Sequence, residues 1–455
     1  MTQVKSVLKR YGLLLLAASV LAIGLKCAAY AVPGDRVRQN IELSVSQLET
    51  EGLYPSPFID VWNVPGVHLD NWSDSNYLNI CYYADTHSLL ESAAGDYLAS
   101  VPGAENPLEM FLSAVTGTSD TLNFSPYARQ WMGVNSILRP LLYFFTFPQI
   151  RLISQYGMLL LLGIAGICIS RRTSWSVAVF YLMALLSVNL VAGSSSANFA
   201  GPLFWVLFSS IMTVKLYPEK AGAPVCVFTA AMGTAYFDAF VAPLMTFCVL
   251  TPLILWIGYE RREIRDAARG FWIVFKCGVA WLTGYLSLWM VKWALASVVL
   301  KENIFLEAFR EATSAVTGWN IEWAAEETTA EFMLSANRLN LSQVFPFNLL
   351  QGRPAGWWLL AAVLVLIAFI VFRSRRTFRL WWWKAGLLVL TGLAPYAWYT
   401  VVYKHSYMHY WFTFRLQAGT VLAILLALAV IWREGKREPT GVQTQAALRK
   451  ESAQK

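Results

Sequence analysis

The chain has 455 residues, of which 56% are hydrophobic and only 14% are charged. A soluble domain carries about 25% charged residues, and several apolar runs here reach ~20 residues, enough for a helix to cross a bilayer. The composition therefore excludes an ordinary soluble domain and predicts an all-α polytopic membrane protein. The net charge is +8, but the basic residues stand at the ends of apolar runs, as orientation signals do. No nucleic-acid partner is expected.

The N-terminal part predicts one membrane helix followed by a long loop. The apolar run over about 12–32 follows a basic N-terminus and favours a retained helix; the alternative is a cleaved signal peptide, because the run ends near AAYA. Residues 33–153 are mostly polar. Their stretch 131–150 is apolar and aromatic but contains Arg139 and Pro140, so it predicts a helix that lies at the membrane surface.

Nine further apolar runs predict the remaining membrane helices, which makes about ten in all. In chain order they cover about 154–170, 175–192, 200–216, a hairpin over 223–258 that turns near 236–238, 271–299, 356–372, 380–402 and a last helix that ends near Trp432. A second long loop, 301–354, separates two of them. We expect a single integral membrane domain over 1–432 and a polar tail, 433–455, that is disordered.

Charge predicts the orientation of these helices. If the N-terminus is cytoplasmic, the Arg-rich turns after the second, sixth and eighth helices are cytoplasmic too, as the positive-inside rule requires. Both termini of this multi-pass cell-membrane protein are then cytoplasmic, and the loops 33–153 and 301–354 face outward. Most of the acidic residues also fall on the outer side, which suits either a soluble loop or a site built from carboxylates.

The stretch 60–87 contains the leading candidates for catalysis. Asp70 and Asp74 share one face if this stretch is helical, and repulsion between two close carboxylates raises the pKa of one toward a value that suits a general base. They could instead share a divalent metal ion, Mg²⁺ or Mn²⁺. The structural alternative is a helix N-cap for Asp70 and a first-turn acid for Asp74. Further polar candidates nearby are Asp35, Asp60, Asp85 and His87.

Candidates for substrate binding lie near the ends of other predicted helices. Asp238 stands in the apolar stretch TAYFDAFVAPL, where a charge indicates function by default and capping of the hairpin is the alternative. His405 and His409 are four residues apart in KHSYMHYWFTFR, with Arg415 at its end. These three could bind a phosphate, and a metal site with two histidines is less favoured. The structural alternative is that they anchor the chain in an aromatic belt at the membrane surface.

Basic side chains in or near apolar segments are also phosphate candidates. Arg139 and Lys292 are the main ones, and Arg129 and Arg151 belong to the same predicted surface segment or its edges. Arginine makes bidentate contacts with phosphate. The alternative is that these long side chains extend to lipid headgroups.

The whole arrangement resembles the GT-C superfamily of multi-pass membrane glycosyltransferases, which use polyprenyl-phosphate sugars and place a catalytic Asp in the first outer loop. Five segments also look like those of a family of bacterial multi-pass membrane proteins, and bacterial O-antigen-type glucosyltransferases are similar in outline. The segments are LDNWSD (69–74), YARQWMGVNSILRPLL (127–142), AYFDAFVAPL (235–244), GYLSLWMVKWA (284–294) and HSYMHYWFTFR (405–415).

The resemblance implies an inverting glycosyltransferase that acts outside the cytoplasm. Asp70 or Asp74 would deprotonate the acceptor hydroxyl, and the polyprenyl phosphate would leave toward a cation. The residues that would hold the phosphate are Arg139, Lys292, His405, His409 and Arg415. The implied partners are a polyprenyl-phosphate sugar donor, an envelope glycan or lipid-linked acceptor, and the bilayer. A cofactor stays open between none and a divalent cation. The alternative function is a transporter or flippase of a lipid-linked sugar.

Overall fold

The computed structural model describes residues 2–56, 65–117, 121–314, 316, 328–350 and 354–436. Asp60 and the tail beyond residue 436 lie outside the described residues, so the predictions about them are not tested. The described chain is mostly helical. Its two short strands, β1 (Tyr97–Ser100) and β2 (Asn123–Pro126), form an antiparallel pair in which Tyr97 stands opposite Pro126.

The α-helices divide between the first loop and the apolar segments. The first part of the chain forms α1 Thr2–Tyr30, α2 Gly34–Glu51, α3 Asn71–Tyr82, α4 Leu89–Gly95, α5 Pro107–Thr116, α6 Asn135–Leu142, α7 Phe147–Arg172, α8 Trp175–Leu186, α9 Leu190–Gly193 and α10 Ala197–Leu216. The rest forms α11 Ala223–Phe237, α12 Met245–Glu260, α13 Ala267–Leu300, α14 Ile304–Thr313, α15 Thr329–Ser342, α16 Pro354–Arg373, α17 Phe378–Gly392, α18 Ala394–Val401, α19 Tyr403–Met408, α20 Tyr410–Thr413 and α21 Ala418–Gly435.

Long apolar helices confirm the predicted class. Among the described residues, six helical segments are long and apolar enough to cross a membrane: Lys5–Tyr30, Phe147–Arg172, Ala197–Leu216, Ala267–Leu300, Pro354–Arg373 and Tyr410–Gly435. Three shorter apolar helices, α8, α11 and α12, accompany them. The mostly helical fold with several long apolar helices is compatible with a membrane protein. The count of ten spans and the likeness to GT-C enzymes stay predictions.

Helix α12 lies at the centre of the apolar part. Nearly all of its residues are buried, as expected for a helix that is apolar all round. It contacts α10, α11, α13, α17 and α21. Gly419 of α21 lets the two backbones approach closely, because a Cβ atom there would meet Cys248 of α12.

Two predicted helices have different bounds for local reasons. The second membrane helix was expected near 154, but α7 already begins at Phe147. Pro148 is tolerated in its first turn, where no helical N–H partner is needed. The helix predicted over 380–402 is interrupted at Leu393, one residue before α18 with Pro395 in its first turn. A proline ring at that position removes a backbone donor and ends the preceding helix.

The Arg-rich turns gather at one end of the helices. Glu219, after α10, pairs with Arg172 at the end of α7 and with Arg261 after α12, the latter at 3.5 Å. Arg433 of α21 reaches Glu260 of α12 at 3.4 Å. The N-terminus of α10, against which α3 packs, lies at the other end, about 30 Å away for a 20-residue helix.

Asp96 joins the first loop to two long helices. It follows α4, and its carboxylate accepts hydrogen bonds from Lys26 of α1, from Tyr30 and from Lys292 of α13, the last at 3.0 Å. Lys292 also donates to the Ala94 carbonyl at 2.8 Å. All of these side chains are buried. Since an unpaired buried ion costs several kcal/mol, these bonds lock the loop onto α1 and α13.

We therefore predict that Asp96→Asn strongly destabilises the protein. The substitution leaves two buried ammonium groups without their counter-ion, a loss of about 3–5 kcal/mol. A fall in the unfolding temperature of the protein in detergent or nanodiscs would measure it.

The matched control is Asp85→Asn, which removes a carboxylate paired with Arg38 at 2.8 Å on the surface. An exposed pair contributes below about 1 kcal/mol. Equal unfolding temperatures for the two variants would contradict the role given to Asp96.

Candidate active site

A cavity of about 570 Å³ opens between the first loop and the membrane helices. Its wall is formed by α3, the segment after β2, the start of α10, the turn after α11, the second half of α13, and the helices α14, α19 and α20. Aromatic side chains cover much of it: Tyr54, Trp72, Tyr77, Tyr127, Phe240, Tyr285, Trp289, Trp293, Trp411 and Phe412. The acidic, basic and histidine side chains on the described wall are Asp70, Arg129, Glu311, His405 and His409.

Asp70 takes the capping role that the sequence offered as an alternative, and it also reaches the cavity. It is the N-cap of α3: its Oδ1 accepts the Ser73 N–H at 3.0 Å. Its Oδ2 accepts from Asn198 Nδ2 at 2.8 Å, and the residue, only 2% exposed, lines the cavity. Burial raises the pKa of Asp70, and the positive charge of Arg415 opposes that rise. Asp70 is thus a cap and also an oriented carboxylate at the cavity.

Asp74 is one turn further along α3 and does not line the cavity. Its Oδ1 accepts from Ser196 Oγ at 2.7 Å and from the Asn198 N–H at 3.1 Å. Its Oδ2 lies 3.6 Å from Arg151. Burial raises the pKa of Asp74 to about 7. The two carboxylates of the predicted pair therefore differ in position: one reaches the cavity and the other lies behind it.

Asn198 connects the two carboxylates, and the sequence analysis missed it. Its backbone N–H donates to Asp74, its Nδ2 donates to Asp70, and its Oδ1 accepts from the Tyr77 hydroxyl at 3.3 Å. The hydroxyl and the carboxylate together determine which way the amide points. The small polar run GSSSAN between two apolar helices was the available signal. It could not reveal which carboxylates this asparagine holds.

His405 and His409 lie side by side on the cavity wall. Their ring centroids are 4.8 Å apart, as the four-residue spacing predicted. The chain leaves the helix at His409, the C-cap of α19, whose N–H still donates to the His405 carbonyl at 2.9 Å. Burial lowers the pKa of His409 to about 4 and the pKa of His405 well below its usual value. Both imidazoles are therefore neutral at pH 7.

Arg129 and Glu311 form a different part of the wall. Arg129 donates to Glu307 at 3.1 Å and lies over the Tyr127 ring, 4.2 Å from its centroid. Trp293 Nε1 donates to the Arg129 carbonyl at 2.9 Å, which ties this segment to α13. Glu311 belongs to α14 and was not among the sequence candidates.

Two further candidates lie next to the wall without lining it. Asp238 caps the turn after α11, where its Oδ1 accepts from the N–H groups of Val241 and Ala242 at 3.0 and 2.9 Å. Burial raises the pKa of Asp238 to about 7. Arg415 is buried with its guanidinium 4.2 Å from the Phe199 ring centroid, and it donates to the carbonyls of the preceding turn.

The last two candidates bind protein groups away from the cavity. Arg139, fully buried, donates to the Cys81 carbonyl and, at 2.9 Å, to the Val32 carbonyl. Lys292 is engaged with Asp96. Of the predicted site residues, the fold therefore brings Asp70, His405 and His409 to one cavity. Asp74, Asp238 and Arg415 stand directly behind its wall.

The described residues bring together no group of three or more His, Cys, Asp or Glu side chains that could hold a metal ion. A divalent cation stays a prediction. Comparison of the chain with protein-family models, with curated proteins and with solved structures finds no match. The interpretation of the site therefore depends on its own geometry.

The raised pKa of Asp74 predicts that the stability of the folded protein depends on pH. Its pKa is about 7 in the folded protein and about 3.9 in an unfolded chain. The folded state holds the proton more tightly, so the stabilisation is complete below about pH 4 and is lost as the pH rises through about 7. Asp74→Asn should therefore reduce the fall in unfolding temperature between pH 5 and pH 8. Asp85→Asn should retain the full fall, and identical pH slopes would contradict the burial effect.

Proposed function

We propose that the chain is a membrane glycosyltransferase that moves a sugar from a polyprenyl-phosphate donor to a cell-envelope glycan on the extracytoplasmic face. One observation carries the proposal: a carboxylate of the first loop, Asp70, is held on the wall of a largely aromatic cavity that His405 and His409 also line. A cavity of several hundred Å³ with few polar groups is typical of a small-molecule site.

Asp70 is the general base of the proposed reaction. Each of its oxygens accepts one hydrogen bond from the protein, from Ser73 or from Asn198, which orients the group and leaves lone pairs for a substrate hydroxyl. Asp70 takes the proton of the acceptor hydroxyl while that oxygen forms a bond to the anomeric carbon. The bond from this carbon to the phosphate oxygen breaks, and its electron pair leaves with the polyprenyl phosphate. Attack from the opposite side inverts the anomeric centre.

The leaving phosphate needs a cation more than it needs a proton. Arg129 is the cation on the described wall, and its buried Nε has no hydrogen-bond partner among the described residues. A guanidinium suits phosphate oxygens. Arg139 and Lys292 do not line the cavity, so we assign the phosphate to Arg129, whose ion pair with Glu307 is partly exposed.

The position of the cavity supports an extracytoplasmic site. The Arg-rich turns lie at the opposite ends of α10 and α13 from the cavity, and such turns are typically cytoplasmic. Leu286 of α13 both lines the cavity and is 44% exposed on the apolar surface. A lipid-linked sugar could therefore enter from the side. Such access suits the transferase and also the alternative, a flippase of a lipid-linked sugar.

Asp70→Asn should abolish transfer without loss of protein. The amide cannot accept the proton, so we expect at least about a 100-fold lower rate. The measurement is formation of a radiolabelled glycoside in proteoliposomes that contain polyprenyl-phosphate [14C]glucose and an envelope glycolipid.

Asp85→Asn is the matched control and should keep the wild-type rate. Full activity of Asp70→Asn would rule out this base. The same vesicles can hold a fluorescent lipid-linked sugar whose outer-leaflet pool is quenched. Movement between leaflets without any glycoside would favour the flippase.

A further inference from the structure

Aromatic side chains lie next to His405 and His409 on the described part of the cavity wall. Phe240 meets His405 edge to face, with ring centroids 4.8 Å apart. His409 stacks on Phe412, also at 4.8 Å, with the planes 18° apart. Trp411 adds a further aromatic face, 5.0 Å from Phe412. Burial among these rings disfavours the charged form of both imidazoles, so the pKa of each is lowered.

Uncharged imidazoles suit hydroxyl groups better than phosphate. Each one carries one N–H donor and one acceptor nitrogen. A hydroxyl is a donor and an acceptor as well, so two neighbouring imidazoles can match two neighbouring hydroxyls. A phosphate offers acceptors and negative charge, and it is bound most strongly by cations. Aromatic faces beside the pair can cover the apolar C–H face of a sugar ring.

The pair and the base are linked by ring contacts. Trp411 contacts Tyr54, with ring centroids 5.2 Å apart, and Tyr54 lines the cavity with Asp70. Phe199, the residue after Asn198, packs on Trp411 at 5.7 Å. Arg129 is held by other elements, α13 and α14. Ring contacts therefore connect the elements that carry the carboxylate and the imidazoles, while different elements hold the guanidinium.

We propose that His405 and His409, together with Trp411, form a subsite for the hydroxyl groups of a sugar and do not bind the phosphate. This differs from the role that the sequence suggested for them. The inference deepens the proposed function and rests on it, because that function identifies the sugar as part of a lipid-linked donor. Binding itself needs no catalysis and can be measured separately.

The experiment uses two classes of probe with the same alkyl chain. Octyl glycosides (the glucoside, galactoside and mannoside) carry a sugar without phosphate, and octyl phosphate carries the phosphate without a sugar. Binding to the full chain in nanodiscs is followed by tryptophan fluorescence at pH 7. The variants are His405→Phe and His409→Phe, which keep an aromatic ring, and His405→Gln and His409→Gln, which keep neutral hydrogen bonding.

The expected pattern separates sugar from phosphate. Each Phe variant should weaken the best-bound glycoside about tenfold, the value of one lost hydrogen bond with its desolvation, and should leave octyl phosphate unchanged. The Gln variants should recover most of the affinity. Arg129→Gln should weaken octyl phosphate alone. The matched control His87→Phe, at a ring that stacks on Tyr97 outside the cavity, should change neither.

Three results would overturn the subsite: weaker phosphate binding with intact glycoside binding in the Phe variants, unchanged binding of both probes, or no glycoside binding by the wild type. Unfolding temperatures show whether each variant is folded, and the two histidines provide independent tests. Failure of transfer with this binding pattern intact would remove the glycosyltransferase and leave the subsite. Sugar transfer without this binding pattern would remove the subsite and leave the glycosyltransferase.

Discussion

Two ammonium groups buried against a single carboxylate hold this structure together. Lys26 lies 70 residues from Asp96 in the chain, and Lys292 lies 196 residues from it. Burial of any one of these three charges without its partners would cost several kcal/mol of free energy. From Asp96 the chain continues into β1, whose Ala99 exchanges two hydrogen bonds of 2.9 Å with the Asn79 side chain of α3. The position of Asp70 thus depends on this ion cluster.

The cavity pairs one oriented carboxylate with surroundings that are largely uncharged. Asn198 and Ser73 hold Asp70, while burial keeps the two histidines neutral. Hydrogen bonds and charges act more strongly where water is excluded, so few polar groups are needed to orient a substrate. The same burial makes Asp74, behind the cavity wall, hold its proton near neutral pH.

Much of the fold could be predicted because the signals are local. Apolar runs of membrane-crossing length gave the positions of α7, α10, α13, α16 and α21 to within several residues at most ends. Pro148, which α7 tolerates in its first turn, and Pro395, which follows the break at Leu393, were visible in the sequence, but their effect depends on how neighbouring backbone groups are satisfied. The i, i+4 spacing correctly brought His405 and His409 together, since that relation needs only one helical turn. The number of membrane spans and their orientation stay predictions.

By itself, the sequence determined the class of protein, the long apolar helices and a short set of polar candidates, because these follow from composition and nearby spacing. Only the tertiary structure decided how the candidates divide. Asp70 reaches the cavity through contacts with Asn198, 128 residues away, while Asp74, four residues later, is turned inward. Lys292 and Arg139 carry the positive charge that a phosphate-binding residue needs, yet protein oxygens engage each of them. Such choices depend on partners distant in the chain, which no local pattern encodes.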